Sequence, residues 1–262
     1  MNLDLTGKTA LVCGSTQGIG RATAIELALL GANIVLMARN EQALKDTIAE
    51  LATKAGQQHR YVVADFSQPD AVDQGIKSHL AQFPDIHILV NNTGGPAGGP
   101  LIEAKPDELT QTFHNHLINN QVLVQAVFPA MKQAGYGRIV NIISTSVKQP
   151  IVGLGVSNTI RGAVAQWAKT LSLEIAQFGI TVNNVLPGYT QTARLESTIR
   201  MRAKTSGKTE SEIAVQLEHE IPTGRFIKPE EVAAAVAFLC TPAAASINGI
   251  NVPVDGGKTG SL

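Results

Sequence analysis

Sulfur is nearly absent from this chain. Its 262 residues include two cysteines, Cys13 and Cys240, each in an apolar stretch and far apart in sequence. That excludes a disulfide scaffold and any cysteine-based metal site, and it fits two buried free thiols in a reducing compartment. Charge is sparse too. Only 16% of residues are charged, and 21 Lys+Arg balance 21 Asp+Glu. Such a chain carries no electrostatic footprint for nucleic acid or for an anionic membrane surface. No apolar run approaches the ~18 residues of a membrane helix. Met1-Asn2-Leu3-Asp4-Leu5 lacks a basic segment followed by an apolar one, so no secretory leader is expected. A soluble cytoplasmic protein is the remaining expectation. Tyrosine is scarce as well: Tyr61, Tyr136 and Tyr189 are the full set.

What is abundant is apolar residues, 44% of the chain, and glycine, at 24 positions. Short apolar runs bounded by glycine read as strands buried on both faces. They fall at 9–13, 33–38, 61–64, 86–90, 138–143, 180–186 and 250–254. Helical spacing fills the intervals at 19–30, 41–51, 69–83, 107–133 (with room for a bend), 157–177 and 229–239. Residues 193–221 are polar, charged and less regular. Strict β-α alternation with right-handed crossovers implies an α/β fold, a doubly wound and mostly parallel sheet with helices on both faces. No linker divides the chain, so a single domain over residues 1–262 is expected.

Between the first strand and the first helix lies Gly14-Ser15-Thr16-Gln17-Gly18-Ile19-Gly20. Gly14 can turn tightly, Gly18 lets backbone approach a phosphate, and Gly20 allows the helix to pack closely. The helix start offers free N–H groups and a positive dipole end to a diphosphate. Its place at the opening of the first βαβ unit turns a common glycine cluster into a nucleotide-site candidate.

The Gly-x-x-x-Gly-x-Gly spacing resembles that of the short-chain dehydrogenase/reductase family, and further landmarks follow in order. Asn91-Asn92-Thr93-Gly94 is similar to the family's Asn-Asn-Ala-Gly, Ser144 ends the fifth strand, Asn183 to Gly188 with Thr192 looks like its Asn-x-x-x-Pro-Gly segment, and Val254-Asp255-Gly256-Gly257 resembles its C-terminal motif. The resemblance spans essentially the whole chain. It implies a Rossmann fold, a small-molecule substrate, a homo-oligomer (tetramer or dimer), a substrate lid at about 189–225, and dinucleotide contacts from Gly14, Ser15, Gln17, Gly18, Ile19, Gly20, Asp65, Phe66, Asn92, Gly94, Pro187, Gly188, Thr190 and Thr192. At the end of the second strand, a carboxylate would bind the adenosine ribose and repel a 2′-phosphate. Here Ala38 is followed by Arg39, and a guanidinium suits a phosphate, so NADP(H) is favoured over NAD(H). No metal is implied.

The family's proton-transfer pair, Tyr with Lys four residues later, is missing. The positions four after Tyr61, Tyr136 and Tyr189 hold Asp65, Val140 and Ala193. Counting from Ser144 puts Ser157 where the tyrosine belongs and Arg161 where the lysine belongs, and counting back from Gly137 puts His116 at the family's asparagine. Arg161 can carry the lysine's charge and donate to ribose. Ser157 is a far weaker acid than a phenol. It reads either as a positioner of water or as a helix N-cap. His116 is a relay or a buried, hydrogen-bonded histidine, and Tyr189 a donor or a pocket wall. Ser144, Ser157, Arg161, His116 and Tyr189 are thus the catalytic candidates. The expected activity is hydride transfer to or from a small carbonyl or alcohol with a non-standard proton source. The alternatives are a catalytically impaired dinucleotide-binding protein, or lyase or epimerase chemistry on the same fold. In the lid, Arg194, Arg200, Arg202, Lys204 and Lys208 could attract a substrate carboxylate or phosphate, or form a solvated face paired with the glutamates that follow.

Overall fold

Apolar runs of four to eight residues are too short to bury a helix, but each can fill one strand of a sheet covered on both sides. The computed structural model, which describes residues 1–68 and 70–261, contains seven such strands: β1 (Thr9–Cys13), β2 (Asn33–Ala38), β3 (Arg60–Val63), β4 (Ile88–Asn91), β5 (Gly137–Ile142), β6 (Ile180–Pro187) and β7 (Asn251–Val254). They form one parallel sheet in the order β3-β2-β1-β4-β5-β6-β7. Alternate side chains point to opposite faces. Ala10, Val12, Ile34, Leu36, Ile88 and Val90 meet helices α1 (Gly18–Leu29) and α9 (Pro229–Cys240), with Leu44 of α2 (Glu41–Glu50) on the same side. Leu11, Cys13, Val35, Met37, Leu89 and Ile139 meet α3 (Ala71–Leu80), α5 (Asn119–Ala134) and α6 (Gly155–Ile175). This is the doubly wound parallel sheet that the alternation predicts. Cys13 and Cys240 are both buried and free, and burial pushes each thiol up to about 12.

Two elements differ from the reading of the sequence. The long helix expected over 107–133 is α4 (Pro106–Phe113) and α5, joined by a π-helical segment, His114–Ile118. The irregular stretch at 193–221 is two helices, α7 (Ala193–Ser206) and α8 (Glu210–His219). Their buried apolar residues come once every four positions, Leu195-Ile199-Ala203 and Ile213-Leu217-Ile221, and close with Phe226 into a separate small core. So narrow a stripe is one residue wide on the helix surface, and the surrounding charges mask its period. The predicted first residue of the third helix, Pro69, lies outside the described residues. Among the described residues no helix is long and apolar enough to cross a membrane.

Two polar devices hold the centre. The first is a ladder of asparagines across four strands, at register-paired positions. Asn91 Nδ2 donates to Asn141 Oδ1 at 2.8 Å, Asn141 Nδ2 to Asn184 Oδ1 at 2.9 Å, and Asn184 Nδ2 to Asn251 Oδ1 at 2.8 Å. Asn141 is fully buried, so its amide is satisfied only by its strand neighbours. The second is the glycine turn. A Cβ on Gly20 would lie 2.2 Å from the Gly14 carbonyl oxygen, and one on Gly14 would lie 2.7 Å from the Asn92 carbonyl oxygen. Asn92 Nδ2 donates to the carbonyls of Cys13 and Gly14, both at 3.2 Å. Strand β1, helix α1 and the end of β4 are thereby pinned together.

Asn141→Ala would strand the amide of Asn91 and the carbonyl of Asn184 in the sheet interior. Leaving buried polar groups unpaired costs about 1–3 kcal/mol each. Chemical denaturation of this variant is therefore expected to show a loss of roughly 3 kcal/mol. A loss below about 1 kcal/mol would show that the ladder is dispensable.

Candidate active site

In an open parallel sheet, ligands settle at the carboxyl ends of the strands where the strand order reverses. Here that point lies between β1 and β4. A cavity of about 1090 Å³ opens there, running from the glycine turn to α7 and α8.

At one end the walls are Gly14, Thr16, Gln17, Gly18, Ile19, Arg39, Asp65, Phe66, Asn92 and Gly94. Gly18 has φ +53°, and a Cβ there would lie 3.0 Å from Thr192 Cγ2. A residue with positive φ and no side chain is what exposes the N–H groups at the start of α1 to the cavity. Arg39 is exposed and forms no ion pair among the described residues. Asp65 is turned inward: its Oδ1 accepts from the N–H and hydroxyl of Ser67, at 2.9 and 2.7 Å. Those hydrogen bonds hold its carboxyl below the usual range. Two predicted contacts do not line the cavity. Ser15 is fully buried, and its hydroxyl has no hydrogen-bond partner. Gly20 is buried behind Gly14, where its role is close packing. Thr16, between Ser15 and Gln17, does line it. The tight turn at Gly14 rotates the loop so that its third residue faces outward, a phase that spacing alone does not specify.

The far end is built from the ends of β5 and β6, the start of α6 and the lid. Ser144, Ser157, Arg161, Pro187, Gly188, Tyr189, Thr190 and Thr192 all line it. Ser144 sits at the head of a short turn, where its Oγ accepts from the Ser146 N–H at 3.1 Å. With that lone pair occupied, the hydroxyl proton is free to donate into the cavity. Ser157 is the third residue of α6, whose N-cap is Leu154. The N-cap reading of Ser157 therefore fails: the helix begins two residues earlier than its sequence pattern suggests.

Arg161 is buried, with 9% of its surface exposed. One N–H donates to the Ile142 carbonyl at 3.0 Å, and no carboxylate pairs with it among the described residues. Burial and, next, the charge of Arg194 push its guanidinium down to about 10, so it stays a cation at neutral pH. His116 lies in the π-helical segment, is 2% exposed and does not line the cavity, whereas its neighbour Asn115 does. Burial, and then the charge of Arg161, hold its imidazole well below the ordinary value, opposed by a hydrogen bond to the Gly94 backbone. Single-turn π segments recur at functional sites because the extra residue rotates the helix face. Asn115 enters the wall through that shift. Tyr189 is committed elsewhere. Its hydroxyl accepts from Arg202 at 3.2 Å and donates to Glu220 at 3.5 Å. Among the described lining residues, the far end holds no phenol free to give up a proton and no carboxylic acid.

Known proteins share this architecture. A family model described as Enoyl-(Acyl carrier protein) reductase matches residues 14–259. The 3-oxoacyl-[acyl-carrier-protein] reductase of Synechocystis sp. is 34% identical over 255 residues, 97% of this chain and 97% of that one. The D-beta-hydroxybutyrate dehydrogenase of Rhizobium meliloti is 34% identical over 260 residues, covering 96% and 98%. Among solved structures, L-sorbose reductase from Gluconobacter frateurii, complexed with NADPH and L-sorbose, superposes with a TM-score of 0.92 at 30% identity over the full length of both chains. Its glycine turn, its seven-stranded parallel sheet and these full-length similarities place the chain in the short-chain dehydrogenase/reductase family of oxidoreductases.

Proposed function

We propose that this protein is an NADP(H)-dependent oxidoreductase that interconverts a small carbonyl compound and its alcohol, with a proton source other than tyrosine. The observation that carries this reading is one cavity lined by the glycine turn at one end and, at the other, by the Ser144 hydroxyl and the buried cation of Arg161. The residues fit the dinucleotide. The backbone at Gln17, Gly18 and Ile19 would hold the diphosphate, in a cradle that a Cβ on Gly18 would crowd. Arg39, unpaired at the end of β2, would hold the 2′-phosphate, and relatives of known structure were crystallised with NADPH. Thr190, Thr192, Pro187 and Gly188 would flank the nicotinamide, with Arg161 at its ribose. When bound, the dinucleotide supplies or accepts the hydride. Residues 189–225 close the cavity from the side as a lid.

Ser144 would hydrogen-bond its hydroxyl to the substrate oxygen and polarise the carbonyl, keeping its own proton. The positive charge of Arg161 would favour the negative charge growing on that oxygen. Ser157, two helical residues inside the start of α6, would order a water that delivers the proton. His116 is neutral and sits behind the wall, so it positions Asn115 and the Gly94 backbone without touching substrate. Tyr189 is a wall residue.

Three outcomes are expected. Ser144→Ala should lower kcat/KM for carbonyl reduction by about 100-fold, the usual cost of one positioned donor, while Tyr189→Phe stays within about three-fold. NADPH oxidation that yields no reduced product in the wild type would overturn the oxidoreductase reading. Arg39→Ala should weaken NADPH binding by about ten-fold and leave NADH unchanged, by fluorescence titration, because a lost guanidinium–phosphate contact matters only when the phosphate is present. For His116, the unfolded chain takes up a proton below the ordinary value of 6.5, whereas the folded chain stays neutral to lower pH. Stability therefore falls as pH drops through that window. His116→Asn should lose less Tm than the wild type between about pH 7.5 and pH 5.5. His79 and His87, also pushed down by burial, are common to both proteins and cancel in the difference.

A further inference from the structure

Positive charge at the lid end of the cavity is unevenly employed. Of the basic side chains in the lid, Arg200, Lys204 and Arg225 lie off the cavity, with Arg200 paired to Glu196 at 3.9 Å and Arg225 to Glu231 at 2.6 Å. Lys208 donates to Gln216 at 3.2 Å, and Arg202 to the Tyr189 hydroxyl at 3.2 Å. From the C-terminal segment, Lys258 pairs with Glu220 at 2.6 Å. The Tyr189 hydroxyl that Arg202 contacts donates in turn to Glu220, which leaves two guanidiniums at this end with no hydrogen-bonded route to a carboxylate. Arg161, buried on α6, gives one hydrogen bond to the Ile142 carbonyl at 3.0 Å. Arg194, in the first turn of α7, gives one to the Pro96 carbonyl at 2.7 Å. Each has five N–H donors, and neither has a carboxylate partner among the described residues. They are close enough for the charge of Arg194 to depress Arg161. The single carboxylate among the described lining residues, Asp65, is at the opposite end and is satisfied by Ser67.

Arg161 is buried and Arg194 is exposed at the cavity wall; two like charges facing one cavity without a counter-ion repel each other, and an anion between them would relieve that repulsion. The dinucleotide does not supply it: a contact from Arg161 to the neutral ribose hydroxyls would leave its charge uncompensated and further N–H donors free. Its phosphates belong under the glycine turn and at Arg39, and its nicotinamide end carries no negative charge. We propose that Arg161 and Arg194 form a seat for an oxyanion of the substrate itself, a carboxylate or a phosphate ester close to the reacting carbon. The substrates would then be small oxo or hydroxy acids, or phosphorylated carbonyl compounds. Planar guanidiniums bind either group through paired N–H donors. This assignment rests on the oxidoreductase reading only for the position of the reacting carbon. The anion seat itself follows from the two unpaired arginines.

The test uses matched probes on the intact protein, by calorimetric titration at low salt, with and without saturating NADP⁺. One pair is 3-oxobutanoate and its methyl ester, the other dihydroxyacetone phosphate and dihydroxyacetone. The charged member of at least one pair should bind about ten-fold or more tightly than its neutral partner. Preference in the first pair assigns a carboxylate, and preference in the second a phosphate ester. Arg194→Gln should reduce that preference to about three-fold or less, Arg194→Lys should recover part of it, and Arg200→Gln should leave it intact. Failure of every charged probe to outbind its neutral partner, including failure of all four to bind, overturns the proposal. So does a preference that survives Arg194→Gln. Loss of NADP⁺ binding with the anion preference intact would instead remove the nucleotide reading and spare the anion seat.

Discussion

The close contact among Gly14, Gly20 and Asn92 is the constraint on which the site depends. No side chain larger than hydrogen fits between the Gly14 carbonyl and the α1 backbone, and the Asn92 amide closes the gap from β4. That contact sets the angle at which α1 leaves the sheet. It thereby aims the helix's unsatisfied N–H groups along the cavity floor. It also joins the two strands that flank the point where strand order reverses, so the cavity is as rigid as the sheet beneath it. The asparagine ladder extends the same stiffness sideways to β7. Polar groups at those positions are tolerable because each finds its partner on the next strand.

The proposed chemistry belongs to the far end, where no tyrosine of this chain has a lysine four residues on. Replacing a lysine-like cation with Arg161 keeps a positive charge and adds a rigid fork of donors. The neighbouring acid is not replaced in kind. Ser157 is too weak an acid to do a phenol's work, Tyr189 is held by Arg202 and Glu220, and His116 is shut behind the wall. The result is a cavity rich in positive charge and poor in acids. Such a site suits an anion, and under the proposed function its proton would come from a hydroxyl or from water.

The π-helical segment and the lid show how local signals mislead. Residues 107–133 carry a helical period throughout, yet one extra residue per turn at His114–Ile118 rotates everything after it. Asn115 then reaches the cavity and His116 the interior. Across residues 193–221 charged residues are as numerous as apolar ones, so α7 and α8 read as irregular. Their one-in-four apolar stripe becomes meaningful only once each helix has the other to cover it.

By itself the sequence determined the doubly wound parallel sheet, the glycine turn at its switch point, the family, and the absence of a Tyr-x-x-x-Lys pair. Each of these is a matter of period, spacing or residue identity along a short stretch, and short-range order survives in a linear reading. Tertiary structure alone decided that Ser15 is buried while Thr16 faces the cavity, that Ser157 lies inside its helix, that Tyr189 is occupied, and that Arg161 and Arg194 share one space without a counter-ion. Those facts depend on which groups from distant segments meet, on burial and on hydrogen-bond partners. A sequence holds them only implicitly, because they arise when the chain closes on itself.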